Sequence, residues 1–329
     1  MSTELTRRRF LYTGAAASIA ALPSRGVRSH AAEAVETPPR RFYTNLSLGR
    51  MGFHASFDAS VELAAKYGFE GVDPDLDYFC SLQEDQLRRV LDQLQAKKLR
   101  LGAAGLPVNF RQDDTTFNAG LKKLPTAASA LQRAGIRGVS TWVMPCSQEL
   151  SYLQNFRQHA DRLHQCAQIL GDHGLKLGLE YVAPRTLWRS ERHPFLHTLG
   201  ETRELLVAIG ANNLGIQLDS WHWFNAEETA KDLLTLRGTD VVTVDLNDAP
   251  LGLTLDGYQD DHRELPAATG IIPIAEFLGA LLQIGYDGPV QAEPFNAALR
   301  ALPVEQACAK VNAAIKTALD AATHKWAPG

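Results

Sequence analysis

Short apolar segments alternate with longer segments of helical periodicity along most of the chain. The apolar segments cover residues 42–48, 71–74, 99–104, 138–144, 175–182, 214–219, 241–247 and 289–293. Their nearly continuous apolar character is typical of parallel strands that are buried on both faces. Between them, apolar residues recur at every third or fourth position, most clearly from Leu153 to Leu170, as on one face of a helix. The pattern therefore predicts eight strand-helix units.

Eight such units in about 285 residues predict an α/β fold with a single closed (β/α)8 barrel, the TIM barrel. An open doubly wound sheet normally has fewer strands and a glycine-rich phosphate-binding turn. The sequence contains neither a G-x-G-x-x-G nor a G-x-x-x-x-G-K-S/T pattern, which argues against a dinucleotide or P-loop site. We assign residues 42–329 to the barrel.

The first 34 residues differ in composition from the rest of the chain. Three consecutive arginines, residues 7–9, precede an Ala-rich and mildly apolar stretch, and small residues follow at Ala31, Ala32 and Ala34. This order is typical of a twin-arginine export signal, and a disordered basic arm is the alternative. We predict a signal peptide over residues 1–34, a linker over residues 35–41, and export to the periplasm or another extracytoplasmic compartment.

Composition and charge argue against several classes of protein. No run of 18 or more apolar residues occurs, so we expect no membrane span. The formal net charge is -4, and removal of residues 1–31, which contain five Arg and one Glu, would leave about -8, which disfavours a nucleic-acid partner. The four cysteines are scattered and form no C-x-x-C pair, so we expect no disulfide framework.

Acidic residues end four consecutive predicted strands, at Glu180, Asp219, Asp245 and Glu293. In a barrel, the carboxyl ends of the strands open into one shared mouth. Carboxylates that converge there raise each other's pKa unless a cation compensates them, so together they predict one bound divalent metal ion. An all-oxygen ligand set favours Mn²⁺ or Mg²⁺ over Zn²⁺. The alternative is four separate, solvated acids.

The motifs around these acids resemble those of the xylose isomerase-like barrel family of sugar isomerases, epimerases and related lyases. The matching segments are Gly178–Tyr181, Leu218–His222, Asn247–Pro250 and Ala292–Phe295. The resemblance implies that Glu180, Asp219 and Glu293 bind the metal and that the two glutamates also exchange a substrate proton. The chain departs from the family at its third ligand, where Asp245 stands in place of the usual His of a V-H-x-x-D pattern.

Five further residues are candidates for binding the substrate. The resemblance implies that His222 contacts a substrate oxygen or the water of the metal, and that Arg263 orients the substrate. Asp248 would hold Arg263 or a water. We also expect His54, in the loop after the first predicted strand, and Trp142, near the end of the fourth, to line the mouth, with Trp142 as an apolar platform for a sugar ring. The alternative for each residue is a structural role in hydrogen bonding, packing or the surface.

This site favours a divalent-metal-dependent sugar isomerase or epimerase that removes a proton next to a carbonyl and forms an enediolate. If the intermediate expels a β-substituent instead, the same site acts as a lyase or dehydratase on a keto-sugar or glycoside. A metal-free sugar-binding protein is a less favoured alternative. So is an endonuclease of the same fold, which would need several His ligands for zinc and a basic face. We expect a small sugar or keto-sugar as the substrate.

Overall fold

The computed structural model describes residues 38–325. The signal peptide and the first three residues of the linker lie outside the described residues, so both assignments stay predictions. The strands are β1 (Tyr43–Leu46), β2 (Gly71–Val72), β3 (Arg100–Leu101), β4 (Ala104–Gly105), β5 (Gly138–Trp142), β6 (Cys146–Ser147), β7 (Lys176–Glu180), β8 (His193–Pro194), β9 (Leu214–Asp219), β10 (Val241–Leu246) and β11 (Pro289–Ala292). The helices are α1 (Leu48–Met51), α2 (Phe57–Tyr67), α3 (Leu76–Ser81), α4 (Glu84–Ala96), α5 (Asp114–Arg133), α6 (Tyr152–Asp172), α7 (Arg185–Trp188), α8 (Leu199–Ile209), α9 (Ser220–Asn225), α10 (Ala230–Leu233), α11 (Ile274–Gln283), α12 (Ala297–Arg300) and α13 (Val304–Lys325).

Nine parallel strands form one curled sheet in the order β3-β2-β1-β11-β10-β9-β7-β5-β4. The edge strands β3 and β4 are separated in the chain only by Gly102 and Ala103. This single stretch pairs with β2 at its start and with β5 at its end, so the two edges of the sheet meet and the barrel closes. The eight predicted strands are confirmed, with the third divided in two.

Three glycines on neighbouring strands make room for one aliphatic side chain inside the barrel near its amino-terminal end. A Cβ at Gly138, Gly178 or Gly215 would lie 2.5, 2.8 or 2.9 Å from the Val242 side chain, closer than packed atoms approach. A cavity of about 820 Å³ at this end is lined by Val242, Lys176 and neighbouring residues and contains none of the four acids. The four acids therefore lie away from this amino-terminal cavity.

Amphipathic helices cover the outside of the barrel. The face predicted for α6 is confirmed at Leu163, Ala167 and Leu170, which are fully buried, whereas Leu153 in its first turn is 54% exposed. α2 ends at Gly68, whose φ of +77° is the left-handed conformation of a helix stop. Within residues 38–325, no helix combines the length and the apolar character that a membrane span requires.

Candidate active site

The four predicted acids end strands that are neighbours in the sheet. Glu180 and Asp219 are the last residues of β7 and β9, Asp245 is next to last in β10, and Glu293 follows β11. All four residues are buried. Carboxylate oxygens of Glu180, Asp245 and Glu293 lie within 4.8 Å of one another, and the same holds for Glu180, Asp219 and a ring nitrogen of His222. The structure therefore brings the predicted acids together with His222.

Two arginines, a half-buried Arg50 and a fully buried Arg263, pair with three of these acids. Arg50 Nη1 lies 3.0 Å from Asp245 Oδ2 and 2.9 Å from Glu293 Oε1. Arg263 Nη1 lies 2.7 Å from Asp219 Oδ2 and 3.1 Å from Glu293 Oε2, so Arg263 is a member of the cluster and not a surface residue. If all four carboxylates are ionised, the two arginines compensate at most two of the four negative charges. One divalent cation carries the matching charge.

Glu180 has no arginine partner within the part of the chain that the structure describes. Its Oε1 atom is buried and has no hydrogen-bond partner. Burial raises the pKa of Glu180 well above its ordinary value, and the negative charges of Glu293 and Asp219 raise it further. Because a buried acceptor without a donor is costly, this oxygen fits a bound cation that would neutralise the carboxylates around it.

His222 is oriented by the backbone of the β7 loop. Its Nδ1 atom accepts a hydrogen bond from the Ala183 N–H at 3.3 Å. Burial lowers the pKa of His222 well below its ordinary value and the charge of Arg263 lowers it further, so the ring is neutral and its proton is on Nε2. Nε2 lies 4.0 Å from Glu180 Oε1 and 3.8 Å from Asp219 Oδ2. This position fits the predicted contact with a substrate oxygen.

Two glutamines inside the barrel hold Asp245. Gln217 Nε2 donates to Asp245 Oδ2 at 2.9 Å, and Gln291 Nε2 donates to Oδ1 at 3.0 Å. The sequence analysis missed both residues. They precede Asp219 and Glu293 by two positions, so they point to the same interior side of their strands. The two glutamines could therefore have been predicted from one pattern, a polar residue two positions before an acid that ends a strand.

Asp248 has a different role from the expected one. Its two carboxylate oxygens accept backbone hydrogen bonds of 2.8–2.9 Å from Ala249, Thr269, Gly270 and Ile272. These four bonds fill the acceptor positions of the carboxylate. Asp248 therefore fixes the loop after β10 and has no acceptor position left for Arg263 or a substrate.

The two remaining predicted residues lie near the ends of strands. Trp142 is the last residue of β5, is 44% exposed and pairs in register with Glu180, so it stands at the mouth beside the acids. His54 is exposed and lines a small cavity with Asp73 at the carboxyl ends of β1 and β2. No hydrogen bond among the described residues joins His54 to the acidic cluster.

The sequence analysis also missed two arginines. Arg50 lies in α1, the four-residue helix that follows β1, and no strand or motif pattern marks it. Arg111 lies in the loop before α5, and its guanidinium carbon is 3.9 Å from the centre of the Trp142 ring. Both were missed because their partners are distant in the sequence.

The chain is similar to a known protein family and to individual enzymes. A family model described as "Xylose isomerase-like TIM barrel" matches residues 61–320. The chain is 30% identical over 145 residues to the 3-dehydroshikimate dehydratase of Pseudomonas aeruginosa, which covers 44% of this chain and 22% of that protein. It is 28% identical over 163 residues to the inosose isomerase of Halalkalibacterium halodurans. That match covers 48% of this chain and 50% of the relative. Both matches thus span half or less of the relatives' own length.

Among solved structures, the chain is similar to a xylose isomerase domain protein from Alicyclobacillus acidocaldarius subsp. acidocaldarius. The sequence identity is 31% and the TM-score is 0.72. The match covers 82% of this chain and 95% of that one. The likeness therefore extends over a whole barrel, and the predicted TIM barrel is confirmed.

Proposed function

The chain belongs to the xylose isomerase-like TIM barrel family, and from this premise we propose that it is a divalent-metal-dependent sugar isomerase or epimerase. The proposal is carried by one observation: a buried oxygen of Glu180 lacks a donor inside a cluster of acids that two arginines only half neutralise. The predicted export signal adds the expectation that the enzyme meets its sugar or keto-sugar substrate outside the cytoplasm.

The proposed metal ligands are Glu180, Asp219, Asp245 and Glu293. Asp245 Oδ1 accepts a single hydrogen bond, so a lone pair remains for a cation. The all-oxygen set suits a hard ion such as Mn²⁺ or Mg²⁺. A bound divalent ion would stabilise the negative charge that develops on a substrate oxygen when the neighbouring carbon loses its proton.

The side chains of the cluster supply the proton transfers. Glu180 and Glu293 are the proposed acid and base: one takes the proton from the carbon beside the carbonyl, and the electron pair moves to the carbonyl oxygen. If a proton returns to the opposite face of the same carbon, the stereocentre inverts; if one goes to the former carbonyl carbon while the neighbouring hydroxyl proton passes to the former carbonyl oxygen, the carbonyl relocates. His222 donates from Nε2 to a substrate oxygen. Arg50 and Arg263 each bind one oxygen of Glu293, so that carboxylate is held rigidly.

A dehydratase is the second candidate, and the similarity to a dehydratase at 30% identity favours it. Its first step is the same removal of a proton next to a carbonyl. The electron pair then forms a carbon-carbon double bond while the β-hydroxyl leaves, and the hydroxyl takes up a proton and departs as water. Formation of an unsaturated product distinguishes this outcome from isomerisation.

Exchange of substrate C–H with deuterated water tests the proposal. The Mn²⁺-loaded protein is screened with ketoses, inososes and keto-acids, and we expect exchange with at least one of them that stops on chelation. Glu293→Gln is expected to lower the exchange rate about 100-fold or more. Glu276→Gln, on the exposed side of α11, is the matched control. Unchanged exchange in Glu293→Gln would remove Glu293 from the acid-base role.

A further inference from the structure

A third arginine lies at the mouth of the barrel and has no acidic partner among residues 38–325. Arg111 Nη2 donates to Thr141 Oγ1 at 3.1 Å and to the backbone oxygen of Trp142. The guanidinium lies between two aromatic rings, 4.5 Å from the centre of Phe110 and 3.9 Å from that of Trp142. Its Nε atom is buried and has no hydrogen-bond partner. Arg111 is thus well positioned but not fully satisfied.

Three other arginines near the site differ from Arg111 because each has an acidic partner. Arg50 and Arg263 each contact two acids of the cluster. Arg162 pairs with Asp114 at 2.6 Å and also donates to the backbone oxygen of Phe110, so it holds the loop that carries Arg111. Arg162, which has Asp114 as its counter-ion, therefore fixes the loop. The same loop carries Arg111, which has no acidic partner among the described residues.

Packing alone does not explain a guanidinium at this position. Burial lowers the pKa of Arg111 to about 10, although the charge of Glu180 opposes that effect. A charge that is partly removed from water and has no partner destabilises the fold, and an uncharged side chain such as Met would also pack against the two rings. A ligand with an anionic group would supply the counter-charge that Arg111 lacks.

The position of Arg111 would place that anion close to the part of the substrate that reacts at Glu180. Arg111 stacks on Trp142, and Trp142 pairs in register with Glu180. We propose that Arg111 binds a carboxylate of the substrate, so the site acts on a keto-sugar or keto-polyol acid and not on an uncharged ketose. This inference rests on the proposed function of the same site. One guanidinium suits a single carboxylate, whereas the two charges of a phosphate beside four acids would need further donors.

Binding of matched ligands tests this inference independently of turnover. Calorimetry on the Mn²⁺-loaded protein compares 3-dehydroshikimate with its methyl ester, and D-fructuronate with D-fructose; each pair differs mainly in the carboxylate. We expect at least one acid to bind about 10-fold or more tightly than its uncharged partner, with an affinity that falls as salt is added. D-fructose 6-phosphate is included to test the phosphate alternative.

Variants of Arg111 assign the preference to one side chain. Arg111→Gln is expected to abolish the preference for the acid, a loss of about 10- to 100-fold, while Arg111→Lys keeps part of it. Arg88→Gln, a change at an exposed arginine, is the control and should change nothing. The inference would be overturned if each acid and its uncharged partner bound with equal affinity, or if neither pair bound. It would also be overturned if the preference for the acid survived in Arg111→Gln, or if the phosphate bound most tightly.

The experiment separates failure of this inference from failure of the proposed function. Glu293→Gln is expected to lose exchange while it retains the preference for the acid. A preference for the acid without any exchange in the wild type would contradict the proposed function alone. Exchange confined to uncharged ketoses would contradict the role of Arg111 alone.

Discussion

The acidic cluster has two sides that differ in how their charge is compensated. On the paired side, Asp219, Asp245 and Glu293 contact Arg50 or Arg263. On the open side, Glu180 has a buried oxygen without a partner, and the nearest ring nitrogen of His222 is 4.0 Å away. Both sides are buried, so burial does not distinguish them. Incomplete neutralisation, more than burial, therefore distinguishes the side to which we assign the proposed cation and substrate.

Removal of an arginine from the paired side is expected to have the largest effect. Arg263 is 2% exposed and contacts Asp219, Glu293 and Asp260. Arg263→Met leaves these carboxylates without their cation, so we expect the free energy of unfolding of the chelated protein to fall by about 3–5 kcal/mol. Chemical denaturation measures it, with exposed Arg88→Met as the control. A loss as small as that of the control would show that the paired side does not depend on its arginines.

A half-buried acid that has neither an arginine partner nor a proposed metal can be compared with the acids of the cluster. Glu228 accepts hydrogen bonds from Tyr181 Oη at 2.5 Å and from the Leu199 N–H at 2.6 Å. Burial raises the pKa of Glu228 from 4.5 to about 7. The folded state therefore binds more protons than the unfolded state between these pH values, and the wild type loses stability as the pH rises from 4.5 to 7.

Glu228→Gln removes this titration. We expect the stability of the variant relative to the wild type to rise by about 3 kcal/mol between pH 4.5 and 8. Urea denaturation across that range measures the difference, and exposed Glu276→Gln should show no such trend. A pH-independent difference between Glu228→Gln and the wild type would mean that hydrogen bonds alone keep this carboxylate ionised, without a cation.

A change of the third proposed ligand has the smallest expected effect. Asp245→Asn keeps the shape of the side chain but removes its charge, so we expect Mn²⁺ affinity to fall about 10-fold or more. Asp245→His is expected to fold and to shift the preference from Mn²⁺ toward Zn²⁺. Metal titration followed by calorimetry measures both changes. Unaltered Mn²⁺ affinity in both variants would assign Asp245 to holding Arg50 only.

The sequence predicts the paired acids better than it predicts their partners. Strand-end acids follow from alternation within one strand and from the geometry of a barrel, both of which are local or general. Arg50 reaches Asp245 and Glu293 across 195 and 243 residues, and no local pattern encodes such a contact. Arg263 was found only through a resemblance of motifs, and Arg111 lies in a loop without one.

Asp248 is the opposite case, a residue that the sequence pattern identified but whose contacts in the structure differ from the expected ones. Its place directly after a strand, in a motif that matches the family, indicated a role at the site. Its four hydrogen bonds come from a loop that extends to Ile272. The path of that loop depends on how the chain packs after β10, so the sequence pattern alone does not distinguish a structural carboxylate from a binding one.

The position of a bound metal ion would show whether the acidic cluster holds a cation on the side of Glu180. Crystals grown with Mn²⁺ would be measured near the manganese absorption edge and an anomalous difference map calculated. The account predicts one strong peak per chain within coordinating distance of Glu180 Oε1, on the open side of the cluster. A peak elsewhere, or a map without a peak in which Glu180 Oε1 is hydrogen-bonded to water or protein, would contradict it.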